Sequence, residues 1–386
     1  MIYLDNAAST QIHEDVLDSM LPYLKEQYGN PSSIHRYGRL AHKAIEKARK
    51  QIASLINAEP SEILITSGGT ESNNTALMGI SVKTPTSQII TSSIEHDAIL
   101  EPCKKLTQNG FEILYLPVDK FGMINSSELQ NHISENTCLV SAMFGNNEVG
   151  TIQPIAEITK ICNEYNIPFH TDAVQAVGKI PINVKELGID LLSISSHKLY
   201  GPKGIGALYI KKGIEIDPVI LGGGQENGLR SGTENVPNIV GFGKACEIAK
   251  NNLQENISHM KKLRDALVVN VLNEIPEVTL NGHSTSRLPN NAHFTFLGVN
   301  GEDLIIKLDE YGIAASTGSA CSVNTQKASH VLQAMGFSHE QITGSLRLTV
   351  GIFNEQKEID QTVDVLKKVV KELRTVSPFK EKYSFT

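Results

Sequence analysis

Short apolar runs, rich in β-branched residues, recur along the first half of the chain with helical patterns between them. They are EILIT (62–66), QIITSS (88–93), FEILYLPV (111–118), CLVSAMF (138–144), IPFHTDA (167–173) and DLLSIS (190–195). Strands that alternate with helices in this way pack as a mainly parallel sheet covered by helices. We therefore predict an α/β fold.

The next run, GIGALYI (204–210), follows the sixth strand too closely for a crossover helix, so we expect it to join the sheet as an antiparallel strand. Residues 238–275 are compatible with one long helix, after which the pattern becomes mixed α+β. A chain of 386 residues is long enough for two domains. We place a large domain at 12–255 and a small domain at 1–11 and 256–386.

Polar residues follow the ends of several strands, which is where open α/β sheets bind their ligands. After the first run, SGGTESNN permits a tight turn, and Thr70 begins a helix whose free N–H groups favour a phosphate. His96 follows the second run, Asn147 follows the fourth, and Asp172 and Gln175 lie at the end of the fifth. Taken singly, each has a plain structural explanation, such as a helix cap or an Asn turn.

Taken together, these side chains match one ligand, pyridoxal phosphate, which has a phosphate, a ring nitrogen, a phenolic oxygen and an aldehyde. Asp172 would hold the proton on the ring nitrogen by a charge-assisted hydrogen bond and so make the ring an electron sink. Asn147 and Gln175 would reach the phenolic oxygen, and His96 would stack on the ring.

Lys198, in SSHKLYGPKG, lies where the sixth strand gives way to a Gly/Pro turn. Alone it would be read as a solvated loop residue, because lysines are seldom buried. Beside this ligand, its amine would attack the aldehyde to form a Schiff base. Ser195 and His197 would add donors to the phosphate at Thr70, and Lys203 is the weaker alternative for the amine.

Composition excludes several other classes of protein. The formal net charge of −7 has no basic cluster to attract a nucleic acid. The stretch MIYLDNAAST has no basic n-region and no sustained apolar run, and no stretch is apolar enough to cross a bilayer, so we expect neither a signal peptide nor a membrane span. Five scattered cysteines without a C-x-x-C pair predict neither a disulfide framework nor a metal site. We expect a soluble, cytoplasmic protein.

Ten motifs occur in order along nearly the whole chain: LDNAAST, YGNPSSIHRYG, TSGGTESNN, EH, NNEVG, HTDAVQ, SSHKLYGPKGIGALYI, GGGQENGLRSGTEN, STGSAC and SLRLTVG. In these motifs the chain resembles the cysteine desulfurases of the nitrogen-fixation and iron–sulfur-assembly type, in the class V aminotransferase branch of pyridoxal-phosphate enzymes. The resemblance implies fold type I, with a mainly parallel seven-stranded sheet and a smaller α+β C-terminal domain. It also implies that sulfur is removed from L-cysteine to leave L-alanine.

The resemblance assigns the same roles to the strand-end residues and adds others. Thr233 would bind the phosphate of the neighbouring subunit, which implies a homodimer. Asn30 and Arg347 would hold the substrate carboxylate, the arginine by two hydrogen bonds. Cys321 would accept the sulfur as a persulfide, while Lys198 moves the Cα proton and His96 serves as an acid or base. The other four cysteines lie in apolar patterns or near a helix start and are expected to be structural.

The segment after Cys321, SVNTQKASHVL, has the longer form found in desulfurases that pass sulfur directly to a scaffold protein. It departs from a frequent Leu-Glu-Pro-Ser pattern, with Ala328 in the place of the proline. An iron–sulfur scaffold or another sulfur acceptor is therefore the expected partner.

Two other readings remain open at this point. A selenocysteine lyase or a true aminotransferase would use the same cofactor, although transamination has no use for the Cys321 thiol. A dinucleotide-binding or non-catalytic protein could use the same sheet, but the sequence lacks a G-x-G-x-x-G turn followed by an acidic residue about twenty positions later.

Overall fold

The computed structural model describes residues 1–81, 87–318 and 328–377, so that Cys321 lies outside the described residues. The strands are β1 (Ile2–Tyr3), β2 (Ile63–Thr66), β3 (Gln88–Ser92), β4 (Glu112–Leu116), β5 (Thr137–Ser141), β6 (Phe169–Asp172), β7 (Leu191–Ser195), β8 (Gly206–Ile210), β9 (Val278–Asn281), β10 (Asn291–Phe296), β11 (Ile313–Ala314) and β12 (Ser345–Thr349). The α-helices are α1 (Glu14–Lys25), α2 (Arg36–Leu55), α3 (Gly69–Ser81), α4 (Asp97–Gln108), α5 (Ser126–His132), α6 (Ile155–Glu164), α7 (Val184–Leu187), α8 (Val236–Asn251), α9 (Leu253–Glu274), α10 (Gly301–Glu310), α11 (His330–Ala334), α12 (His339–Thr343) and α13 (Gln356–Val376).

Within the described residues, seven strands form one mixed sheet in the order β2-β8-β7-β6-β5-β3-β4. The pairs β7–β6, β6–β5, β5–β3 and β3–β4 are parallel. Strand β8 is antiparallel to both β2 and β7. The short connection 196–205 leaves no room for the crossover helix that a parallel β7–β8 pair would need. The six predicted strands and the antiparallel seventh are confirmed.

Strand β7 shows why this sheet lies between two layers of helices. All five of its residues are buried, as expected for a central strand covered on both faces. Successive side chains point to opposite faces. Leu192 and Ile194 pack in the core cluster shared with α1, α2 and α8, whereas Leu191 packs in the cluster shared with α3 and α4.

A second, three-stranded antiparallel sheet has the order β12-β10-β9. Its apolar residues pack with α9, α10 and α13 in a separate cluster that also takes in Ile2 and Leu4 from the start of the chain. Strand β1 pairs with β11. Separate cores are what a division into two domains produces, but the boundaries 12–255 and 1–11 with 256–386 stay a prediction.

The single long helix predicted over 238–275 is wrong. Two helices, α8 and α9, meet at Asn252, whose backbone has φ −108° and ψ 12°. Asparagine is a weak helix former because its side chain competes for backbone hydrogen bonds, and here two asparagines are adjacent. Asn252 N–H still donates to Ile248 at 3.1 Å, so that the chain turns without leaving helical structure for long.

Among the described residues, no helix combines the length and the apolar character needed to cross a membrane.

Candidate active site

The carboxyl ends of the parallel strands open onto a cavity of about 260 Å³. Eight of the residues selected from the sequence line it: Thr70, His96, Asn147, Asp172, Gln175, Ser195, His197 and Lys198. They come from segments spread over more than a hundred residues, and the parallel sheet brings them to one edge.

One end of the cavity is formed by the start of helix α3. Gly68 has φ +155°, and a Cβ on Gly69 would lie 2.7 Å from Cγ2 of Val174, so a side chain there would clash. The backbone N–H groups at Gly69 and Thr70 begin the helix and have no partner inside it. With the Ser195 hydroxyl nearby, this end of the cavity suits an anion.

His197 lies beside this anion site, and one of its ring nitrogens, Nδ1, is 3.2 Å from Ser9 Oγ. Burial, together with the cations of Lys198, Lys203 and Lys179, lowers the pKa of His197 to about 4. The imidazole is therefore neutral at neutral pH and donates a single N–H.

Asp172 lies at the end of β6 and is 7% exposed. Its Oδ2 accepts a hydrogen bond from Asn73 Nδ2 at 2.6 Å, and its Oδ1 accepts one from Val174 N at 3.0 Å. The two bonds fix the orientation of the carboxyl group toward the cavity that it lines.

Lys198 lies in the one-turn 3₁₀ helix that follows β7. Its Nζ donates to Ala7 O at 2.6 Å and to Ala8 O at 2.7 Å, so the N-terminal segment holds the amine in the cavity. Lys203 is exposed and does not line this cavity. The geometry therefore favours Lys198 over Lys203 as the reactive amine.

His96 is the N-cap of α4, and its Nδ1 accepts a hydrogen bond from Ala98 N at 3.0 Å. A neutral imidazole that accepts at Nδ1 carries its proton on Nε2, and His96 lines the cavity. The preceding residue, Glu95, is fully buried, and its Oε1 accepts from Ser92 Oγ at 2.5 Å and Met143 N at 2.9 Å. Burial raises the pKa of Glu95 to about 8.

Three predicted residues lie outside the lining of this cavity. Arg347 is 2% exposed and lies close by, because its Nη1 donates to Asn147 O at 2.8 Å and its Nη2 pairs with Asp5 at 2.9 Å. Asn30 is exposed and accepts from Ser32 N at 2.9 Å. Thr233 is exposed on the segment before α8. The fourth, Cys321, is not among the described residues.

The described cysteines are free thiols. Burial raises the pKa of Cys103 and of Cys162 to about 12, and it raises the pKa of Cys246 as well. These three thiols stay protonated at neutral pH and are poor nucleophiles.

Sequence reasoning missed several residues that build the site. Asn73 lies three residues after Thr70 on one helix, a spacing that places both on one face and is a usable signal. Lys179 follows Gln175 by four residues and is buried. The carbonyl groups of Ala7 and Ala8 left no signal, because any residue presents a backbone oxygen.

The comparisons with known proteins agree with this geometry. Residues 2–362 match the model of the family Aminotransferase class-V. The chain is 50% identical to cysteine desulfurase IscS of Dictyoglomus turgidum, covering 99% of this chain and 98% of that protein. It is 51% identical to cysteine desulfurase IscS of Methanosarcina thermophila, covering 99% and 95%.

Solved structures show the same likeness. A NifS-like protein has a TM-score of 0.91 at 40% identity and covers 96% of this chain and 99% of its own. A protein described as SspA in complex with cysteine has a TM-score of 0.82 at 37% identity, covering 92% and 100%. The predicted type I fold is confirmed, and this family of enzymes depends on pyridoxal phosphate. The chain belongs to the cysteine desulfurases of the class-V aminotransferase family.

Proposed function

We propose that the cavity binds pyridoxal 5'-phosphate and that the protein there converts L-cysteine to L-alanine, with Cys321 as the sulfur acceptor. One observation carries the proposal: an amine, a carboxylate and a helix N-terminus, from Lys198, Asp172 and α3, converge on one cavity. The family of the chain and the SspA structure with cysteine support the same substrate.

The donors in the cavity fit each polar part of this cofactor. The N-terminus of α3, with Thr70 and Ser195, suits the phosphate. Val174 lies so close to Gly69 that no side chain fits there, so the backbone at Gly69 is not covered by a side chain of its own. The Asp172 carboxylate, held by Asn73, suits a protonated ring nitrogen. Asn147 and Gln175 supply amide groups for the phenolic oxygen.

When bound, pyridoxal phosphate supplies an electron sink that accepts the charge left at Cα of the substrate. The residues of this chain do the rest. Lys198 Nζ would hold the cofactor covalently and, once the amine of the substrate has taken its place, would take the proton from Cα of cysteine. His96 lines the same cavity and is proposed to move a proton at the substrate.

Arg347 is proposed to hold the substrate carboxylate with help from Asn30. Its Nη2 is already paired with Asp5, and its Nη1 donates to the carbonyl groups of Asn147 and Gly318. A substrate carboxylate therefore exchanges with one of these partners and gains a charge-assisted hydrogen bond in a buried setting.

Cys321 is proposed to take the sulfur atom as a thiolate nucleophile. The bond between Cβ and sulfur of cysteine breaks and a sulfur–sulfur bond forms, so that L-cysteine and one thiol give L-alanine and one persulfide. The acceptor is proposed to be an iron–sulfur scaffold or another sulfur-acceptor protein, which removes the persulfide sulfur. The free thiols of the described residues agree with a reducing, cytoplasmic compartment.

We also propose a homodimer in which Thr233 completes the phosphate site of the partner. The segments near Asn30 and Thr233 expose large apolar side chains, since Ile34 is 91% exposed and Leu221 is 79% exposed. Exposed apolar groups of this size favour burial against another surface. Sedimentation equilibrium of wild type and Leu221→Asp tests this, with a dimer expected for the first and a weakened dimer for the second. A wild-type monomer would contradict it.

The function is tested with Lys198→Ala and a matched control, Lys203→Ala. Lys198→Ala is expected to lose the covalently held cofactor, seen as loss of the adduct after borohydride reduction, and to form no alanine from cysteine. Lys203→Ala is expected to keep both. Alanine formation by Lys198→Ala at the wild-type rate would refute the assignment.

A further inference from the structure

Lys179 is a buried amine that the proposed chemistry leaves unused. It is 2% exposed, and its Nζ donates to Gln175 O at 3.1 Å and lies 3.4 Å from Gln175 Oε1. Burial, together with the nearby cations of Lys198 and Arg347, lowers the pKa of Lys179 to about 7. Burying an amine is costly compared with burying a methionine of similar length, so stability alone does not explain this residue.

The two ends of the Gln175 side-chain amide have partners of opposite kind. A lysine ammonium only donates hydrogen bonds, so the charged amine requires the oxygen of the amide to face it, and the neutral amine can donate to the same oxygen. On the other side, Gln175 Nε2 donates to Ala7 O at 2.9 Å, and a carbonyl oxygen accepts only. Lys179 and Ala7 thus fix the same orientation of the amide.

This orientation decides what Gln175 presents to the cavity that it lines. Nε2 carries two N–H groups, and Ala7 O takes one of them. The second N–H is left for the cavity. In the flipped amide the carbonyl oxygen would occupy that place and would repel an ionised phenolic oxygen.

We infer that Lys179 is a positioning residue that locks the Gln175 amide so that an N–H, not a carbonyl oxygen, meets the phenolic oxygen of the cofactor. The inference rests on the proposed binding of pyridoxal phosphate. Lys179 itself does not contact the cofactor. Lys179 and Lys198 also line a second, small cavity together with His13 and Tyr200.

The test is a double-mutant cycle on cofactor affinity with Lys179→Met and Gln175→Ala. Apoprotein is titrated with pyridoxal phosphate, and the dissociation constant and the visible absorption maximum are recorded. Each single substitution is expected to weaken binding roughly tenfold, the size of one lost hydrogen bond, and to shift the absorption maximum in the same direction. The double variant is expected to bind no more than about twofold more weakly than either single variant.

Two controls separate positioning from stability. Val177→Ala removes apolar volume from the core cluster in the same segment and is expected to lower the melting temperature without shifting the absorption maximum. Lys179→Met is expected to melt at or above the wild-type temperature.

Four results would overturn the inference. They are wild-type affinity in Lys179→Met, fully additive losses in the double variant, an unshifted absorption maximum, and a Lys179→Met protein that fails to fold. Wild-type protein that binds no pyridoxal phosphate would instead refute the proposed function, and this inference with it.

Discussion

Asn73→Ala tests whether the hydrogen bond that Asn73 donates to Asp172 supports cofactor binding. Asn73 is 1% exposed on α3, and its Nδ2 donates to Asp172 Oδ2 at 2.6 Å. Asp172 keeps only the bond from Val174 N when Asn73 is truncated. The carboxylate then loses one of the two donors that hold it against the cavity.

The size of the effect follows from the kind of bond that is lost. A hydrogen bond to a buried charged group contributes about 1.5–3 kcal/mol. If the whole of this orients Asp172 toward the ring nitrogen, the dissociation constant of pyridoxal phosphate rises by roughly 10- to 100-fold. Apoprotein titrated with the cofactor and followed by visible absorbance measures the change.

Asn74→Ala is the matched control, because Asn74 is the same residue type on the same helix and its Nδ2 donates to Thr70 O at 2.8 Å, not to Asp172. It is expected to change the affinity by less than about twofold. In an Asp172→Ala background, Asn73→Ala is expected to have little further effect. A dissociation constant for Asn73→Ala within about threefold of the wild-type value would refute the reasoning, because a loss of 1.4 kcal/mol already raises the dissociation constant roughly tenfold.

Three further predictions concern stability. Burial raises the pKa of Glu95 to about 8. The folded chain therefore keeps a proton on Glu95 that the unfolded chain loses near pH 4–5, and the free energy of unfolding of wild type falls as the pH rises from about 5 to 8. Glu95→Gln is expected to show a shallower fall across that window in urea denaturation, and equal slopes would contradict this. Burial lowers the pKa of His170 to about 3. Below about pH 6.5 the unfolded chain binds a proton at this residue and the folded chain does not, so the free energy of unfolding falls as the pH drops toward 3. His170→Gln is expected to be less acid-sensitive than wild type in thermal melts between pH 7 and 5, and a steeper loss would count against it. Glu226→Ala breaks a bidentate, largely buried pair with Arg49 at 2.7 and 2.8 Å and is expected to cost about 3–5 kcal/mol in guanidinium denaturation. Its control, Glu46→Ala, removes the half-exposed partner of the same arginine and is expected to cost less than about 1 kcal/mol, so similar losses in the two variants would be the wrong result.

The sheet and the core of the cavity could be predicted because their signals are local. Each strand of the large sheet is a short apolar run bounded by turn residues, and the antiparallel β8 follows from the length of one connection. Polar residues that follow parallel strands must meet at one edge of the sheet. Lys198 and Asp172 are predictable in this way, since Asp172 ends β6 and Lys198 lies three residues after the end of β7.

The rest depends on contacts between distant residues, which leave no local pattern. The two-residue strand β1 pairs with β11 more than three hundred positions later, and nothing in its own sequence indicates a strand. Ala7 and Ala8 enter the site through carbonyl groups, which carry no residue signature. The turn at Asn252 was missed because asparagine only weakens a helix and does not exclude one.

The central claim is that Cys321 receives the sulfur of L-cysteine in a reaction that depends on Lys198. The most direct test exposes purified, cofactor-loaded protein briefly to L-cysteine, measures alanine, and maps peptide masses with and without reductant. The account predicts that alanine forms, that the Cys321 peptide gains one sulfur atom that reductant removes, and that Cys103 and Cys162 stay unmodified. Alanine formation with an unmodified Cys321 peptide, or sulfur on Cys321 in Lys198→Ala, would contradict it.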